Sequence, residues 1–226
     1  MKVIYYGHAC FSVLVGGKTL LFDPFITGNP LAKAIDVKSV PADFILVSHG
    51  HSDHVGDTVE IARRTGALVI ANYEVATWLS KNGVPKIHPL NHGGGFRFDF
   101  GRAKFVNAIH SSSLPDGAFG GNPGGFVVES AEGNLYFSGD TALTMDMKLI
   151  GESTRLKFAA LCVGDNFTMG VDDAVKAANF IRCDEILGVH FDTFPPIKID
   201  HAAAQEKFKA VGKTLHLLRP GETHDF

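Results

Sequence analysis

FILVSHGHSDH, residues 44–54, carries four apolar residues straight into four potential metal ligands, His49, His51, Asp53 and His54. A short continuous apolar run reads as a buried strand. Residues two apart in an extended chain point the same way, so His49 and His51 can converge on one ion. Asp53 and His54 then turn away toward a second ion as a helix begins near Val55, and Gly50 between the histidines lets the backbone approach closely. The competing reading, a solvated histidine-rich loop, fits poorly with a His-x-His-x-Asp-His run directly behind a buried strand.

Working outward, the N-terminal side is strand-like at residues 3–6, 10–15 and 19–22, and the paired Gly16-Gly17 marks a hairpin because two glycines accept the positive φ of a tight turn. On the other side the period changes. Residues 55–65 and 73–82 carry apolar positions at helical spacing, each closed by a glycine, Gly66 and Gly83, before another apolar run. Strand character returns at 96–98, 103–109, 125–129 and 135–138. Helical segments near 171–181 and 201–211 then alternate with strands near 158–163, 185–189 and 215–218. Antiparallel strands followed by alternating helices and strands, twice over, predict an α/β protein of four layers, an αββα sandwich of two mixed sheets face to face with helices on both outer sides. One domain over residues 1–226 is expected. Residues 111–124, SSSLPDGAFGGNPG, have no period and read as a loop, either a lid or binding loop behind His110 or a plain surface excursion.

Composition narrows the function. A formal charge of −3 provides no basic footprint for nucleic acid. No apolar run approaches the ~20 residues that span a bilayer, and no leader is evident, so a cytoplasmic location without membrane association is expected. Cys10, Cys162 and Cys183 show no CxxC spacing and read as buried thiols. Eleven histidines are the conspicuous feature.

Three further ligands stand at the C-terminal ends of strands: His110, Asp140 in Ser138-Gly139-Asp140-Thr141, and His190. With the HxHxDH run they resemble the metallo-β-lactamase superfamily over residues 49–190. GHACF at 7–11, FDP at 22–24 and GVHFDTFP at 188–195 resemble the branch of metal-dependent hydrolases related to L-ascorbate-6-phosphate lactonase. The resemblance implies that His49, His51 and His110 hold a first ion, that Asp53, His54 and His190 hold a second, and that Asp140 bridges them. Zinc is the first choice, manganese the second, and iron and nickel also suit these ligands.

Two such ions, roughly 3.5–4 Å apart, can share a hydroxide and polarise a substrate oxygen. The expected function is hydrolysis of a small ester or lactone by that bridging hydroxide, with Asp53 orienting it and accepting its proton. A phosphodiesterase on the same dinuclear site is the alternative; a site that only stores metal and a di-iron redox centre are weaker readings. His8 either donates a proton or contacts substrate, or is structural and bonded to a backbone carbonyl. Asp23 either orients a ligand histidine or is a turn aspartate. Asn166, Phe167, Thr168, Phe25 and Phe119 are candidates to line the cleft, while His88, His92, His201, His216 and His224 have no assigned role. The expected partner is a small-molecule substrate, and assembly into a homo-oligomer is expected by analogy with that branch.

Overall fold

The computed structural model describes residues 1–226. Its strands are short, and their runs of buried residues pair into two seven-stranded sheets. The first sheet holds β1 (Lys2–Gly7), β2 (Cys10–Val15), β3 (Lys18–Phe22), β4 (Phe44–Leu46), β5 (Leu68–Asn72) and β6 (Ile87–Leu90). The second holds β7 (Gly95–Phe98), β8 (Gly101–Asn107), β9 (Gly124–Ser130), β10 (Gly133–Phe137), β11 (Phe158–Cys162), β12 (Glu185–Val189) and β13 (Thr214–His216), while β14 (Thr223–Asp225) returns to the free edge of β1. In each sheet hairpin-connected antiparallel strands come first and parallel strands follow, through β3–β4–β5–β6 and β10–β11–β12–β13. The β2–β3 hairpin turns on Gly16 and Gly17 at φ 56° and 72°, the left-handed values that such a turn needs.

The facing sides of the sheets share an aromatic core. Phe11 stacks on Phe22 at 4.6 Å, and Phe137 from the other sheet meets both edge-on at 5.3 and 5.5 Å. Outside the first sheet lie α1 (Ser52–Val55), α2 (Thr58–Thr65) and α3 (Tyr73–Lys81), whose Val55, Ile61, Val75 and Leu79 pack with Ile45, Val47, Val69 and Ala71. Outside the second lie α4 (Asp146–Ser153), α5 (Val171–Phe180) and α6 (His201–Lys209); Ala174, Ala177 and Ala178 give α5 the small face that packs into this core. The result is the four-layer αββα sandwich. All three cysteines are buried free thiols. No helix is long and apolar enough to cross a membrane.

The expected helix over 55–65 is two helices. Asp57 interrupts it because its carboxylate accepts from the backbone N–H groups of Ile26 at 2.5 Å and Thr27 at 3.0 Å, while its own N–H donates to the carbonyl of Pro24 at 2.8 Å. Those three bonds pin the segment after Asp23 beside α1. The 111–124 loop has no regular element before β9 beyond one bridge between Ser113 and Phe119. It is nonetheless tied down: Asn72 Nδ2 donates to the carbonyls of Gly120 and Asn122 at 2.8 and 3.1 Å, and Trp78 Nε1 donates to Asp116 at 2.7 Å.

Candidate metal centre

The parallel strands and their antiparallel neighbours end along one edge of the sandwich, and their C-terminal ends carry the polar residues. β3 delivers Asp23, β4 delivers residues 48–54, and across the interface β8, β10 and β12 deliver His110, Asp140 and His190. Two groups of side chains form there. His49, His51 and His110 bring their ligand atoms within 4.8 Å of one another, and so do His8, Asp53, His54 and His190. His49 Nε2 and His51 Nδ1 are 2.9 Å apart. Asp140 Oδ2 stands between the groups, 3.6 Å from His110 Nε2, 3.2 Å from His54 Nε2 and 3.0 Å from His190 Nε2. All seven residues expected around the ions are therefore brought together, with His8 an additional neighbour of the second group.

The framework behind these side chains fixes which nitrogens face inward. Asp23 is fully buried and takes an uncommon left-handed backbone at φ 38°. Its carboxylate accepts from Ser48 N at 2.7 Å, from Ser48 Oγ at 2.5 Å and from His54 Nδ1 at 2.7 Å. The Ser48 hydroxyl, having given its proton to Asp23, accepts from His49 Nδ1 at 2.9 Å. Both histidines thus donate from Nδ1 to this framework and turn Nε2, the atom a cation would take, to the centre. The only mark of this role that Ser48 carries in the sequence is its place directly before the first histidine.

Electrostatics follow from burial and crowding. Burial, aided by neighbouring imidazoles, holds His49 well below the ordinary histidine range and lowers His51 and His110. His54 goes the other way: burial opposes its charge, but Asp140 and Asp23 on either side raise it well above the usual value. Asp140 is desolvated, yet His54 and His190 hold it well below the carboxylate range. Burial likewise disfavours the Asp53 charge, and the hydrogen bond from His8 together with His54 and the other nearby imidazole charge outweighs it, leaving Asp53 ionised.

The donor set fits divalent cations. His54 Nε2 and Asp140 Oδ1 are buried without any hydrogen-bond partner, two potential ligand atoms with nothing in the chain to satisfy them. Imidazoles with carboxylates suit zinc and its first-row neighbours. Access is from the side of His51, Asp53 and His110, the least buried of the seven.

Of the other residues singled out, Phe25 and Phe194 flank the His8 ring edge-on at 5.6 and 5.5 Å. Phe119 and Phe167 are exposed on loops at this edge. His201 and His216 pair with Asp192 and Glu185 at 2.6 and 2.7 Å, and His88 packs against Phe96 on an outer strand, all outside the two groups.

An αββα sandwich with two groups of imidazole and carboxylate ligands at one sheet edge is the architecture of metallo-β-lactamase-type hydrolases. The sequence model for the beta-lactamase superfamily domain matches residues 18–191. A UPF0173 metal-dependent hydrolase of Flavobacterium johnsoniae is 54% identical over 223 residues, 99% of each chain, and one of Christiangramia forsetii is 51% identical over 224 residues, again 99% of each. Among solved structures, Igni18, a metallo hydrolase of the hyperthermophilic archaeon Ignicoccus hospitalis, is 33% identical with a TM-score of 0.88, covering 100% of this chain and 98% of that one. The chain belongs to the beta-lactamase superfamily domain family and, within it, to the UPF0173 metal-dependent hydrolases.

Proposed function

We propose that this hydrolase cleaves a small ester or lactone at a centre of two divalent cations, zinc first and manganese second. The observation that carries the reading is the position of Asp140 Oδ2, within 3.6 Å of nitrogens from both ligand groups, which suits a shared ligand between two ions. His49, His51 and His110 would hold one cation, and Asp53, His54 and His190 the other. Bound there, the cations would acidify water and polarise the substrate's carbonyl oxygen.

The chain's own residues do the rest. Asp53, ionised and with a side chain 25% exposed, orients the attacking water on the open side and takes its proton on the way to the leaving group. Buried imidazoles on the inner side exclude bulk water. Exposed Ile109, Phe119 and Met145 stand on the two loops that carry His110 and Asp140, an apolar rim suited to an acyl or alkyl group more than to a phosphodiester. The resemblance of GHACF, FDP and GVHFDTFP to the lactonase branch points the same way. The reading includes a cytoplasmic location and a homo-oligomer, the latter open to light scattering.

The test is a hydrolysis screen of protein reconstituted separately with Zn and Mn against esters, lactones and phosphodiesters, with His51→Ala as control. Ester or lactone turnover that disappears in the control is the expected result. Turnover confined to phosphodiesters, or none at all with cations bound, would overturn the proposal.

A further inference from the structure

His8 has no exposed surface, and both of its ring nitrogens are engaged: Nε2 lies 3.0 Å from Asp53 Oδ2 and Nδ1 lies 2.9 Å from Thr193 Oγ1. An ionised carboxylate only accepts, so Nε2 must carry the hydrogen. Nδ1 then holds a lone pair, and the Thr193 hydroxyl must donate to it. Thr193 Oγ1 also lies 3.3 Å from the carbonyl of Phe191, but its single proton serves the shorter bond. The imidazole is thus locked in one tautomer by a residue 185 positions away.

The backbone around it is equally committed. His8 adopts φ 58°, uncommon for a residue with a Cβ, and its carbonyl accepts from Tyr5 Oη and from His190 N, each at 2.8 Å. His190 itself sits at φ 57°. The residue after β1 therefore joins the Asp53 side of the first sheet to the His190 loop of the second.

We infer that Thr193 and His8 form a positioning pair for the second cation pocket: they fix Asp53 by its Oδ2 and join it to His190, without touching substrate or handing over a proton. The inference rests on the two-cation reading above. Losing a hydrogen-bonding partner behind a metal ligand typically weakens metal binding about 10–100-fold, and the pair serves only the group of Asp53, His54 and His190.

The experiment titrates Zn²⁺ alone, and separately Mn²⁺ alone, into the ion-free full chain against a chromophoric chelator. His8→Phe keeps the packing against Phe25 and Phe194 but removes both nitrogens. It should weaken one equivalent about 10–100-fold and leave the other within about twofold of wild type. His8→Gln, which can still donate to Asp53, should recover much of the loss; Thr193→Val should shift the same equivalent and Thr193→Ser restore it. A general packing defect would weaken both equivalents together and show no such rescue, and that result overturns the assignment. So does wild-type affinity at both equivalents in Thr193→Val, a comparison that stands even if His8→Phe fails to fold. A wild type that takes up a single equivalent defeats the two-cation reading itself, and the inference falls with it.

Discussion

Asp23→Asn replaces one carboxylate oxygen with an NH₂ group and reverses the polarity of a buried network. The native carboxylate receives three hydrogens, from Ser48 N, Ser48 Oγ and His54 Nδ1, at 2.5–2.7 Å. An asparagine oxygen can still take the Ser48 N–H, but its NH₂ group then faces Ser48 Oγ and His54 Nδ1 with hydrogens of its own. To accept from it, His54 must move its proton to Nε2. Ser48 must turn its hydroxyl toward His49 Nδ1, which pushes that proton to Nε2 as well. One ligand in each cation group is then capped on its binding nitrogen. At about 10–100-fold per group, each cation loses about 1.4–2.7 kcal/mol of affinity. Exchanging a charged acceptor for a neutral one costs the fold roughly 2 kcal/mol more, or about 4–8 °C in Tm for a chain of this size. Chelator competition on the ion-free variant, with thermal unfolding alongside, reads both quantities. A folded Asp23→Asn protein that binds two cations as tightly as wild type would refute the tautomer argument.

Gly139→Ala places a methyl 2.5 Å from the carbonyl of Gly124 and 2.9 Å from Ser48 Cβ at φ 59°, so it should destabilise the chain by about 2 kcal/mol or more, read from the urea midpoint; an unchanged midpoint would contradict the crowding. Asn72→Ala removes both the cap on Val75 N at 2.8 Å and two of the anchors of the 111–124 loop, so it should cost about 1 kcal/mol of stability and raise KM more than it lowers kcat; equal loss in both kinetic constants would show that the loop does not face substrate. Without cations, stability should fall as pH drops below about 6.5, because burial pushes His8 down to about 4 and His49 well below the value that both regain on unfolding. The raised His54 pulls the other way above about pH 6, where the unfolded chain gains a proton that the folded chain already carries, but one such group offsets only part of the loss from His8 and His49. Urea unfolding of the ion-free chain at pH 7 and pH 5 checks this, and equal midpoints would contradict it. A single transition is also expected if residues 1–226 fold as one domain.

The sandwich and the convergence of the ligands were legible because both depend on short-range pattern. Apolar runs with glycine stops mark the strands and helices, and His110, Asp140 and His190 each sit just past a strand, with β8, β10 and β12 running in one direction so that these ends share an edge. α4 escaped because only Met147 and Ile150 of it turn inward while Leu149 faces solvent, too little for a helical stripe. β6 is marked only as an apolar run without bounds after Gly83, because it is an edge strand interrupted by Pro89, which cannot donate to a ladder. The break at Asp57 and the pairing of His8 with Thr193 depend on partners 31 and 185 residues away, and no local spacing encodes such contacts.

Each ligand group draws on both sheets: His110 from the second sheet completes the pair His49 and His51 from the first, and His190 completes Asp53 and His54. A cation in either group would act as a rivet through the sandwich. Opening the two sheets would then require breaking coordination, so amide hydrogens in β4 and in β12 should slow their exchange together on cation binding, although no backbone hydrogen bond connects those strands.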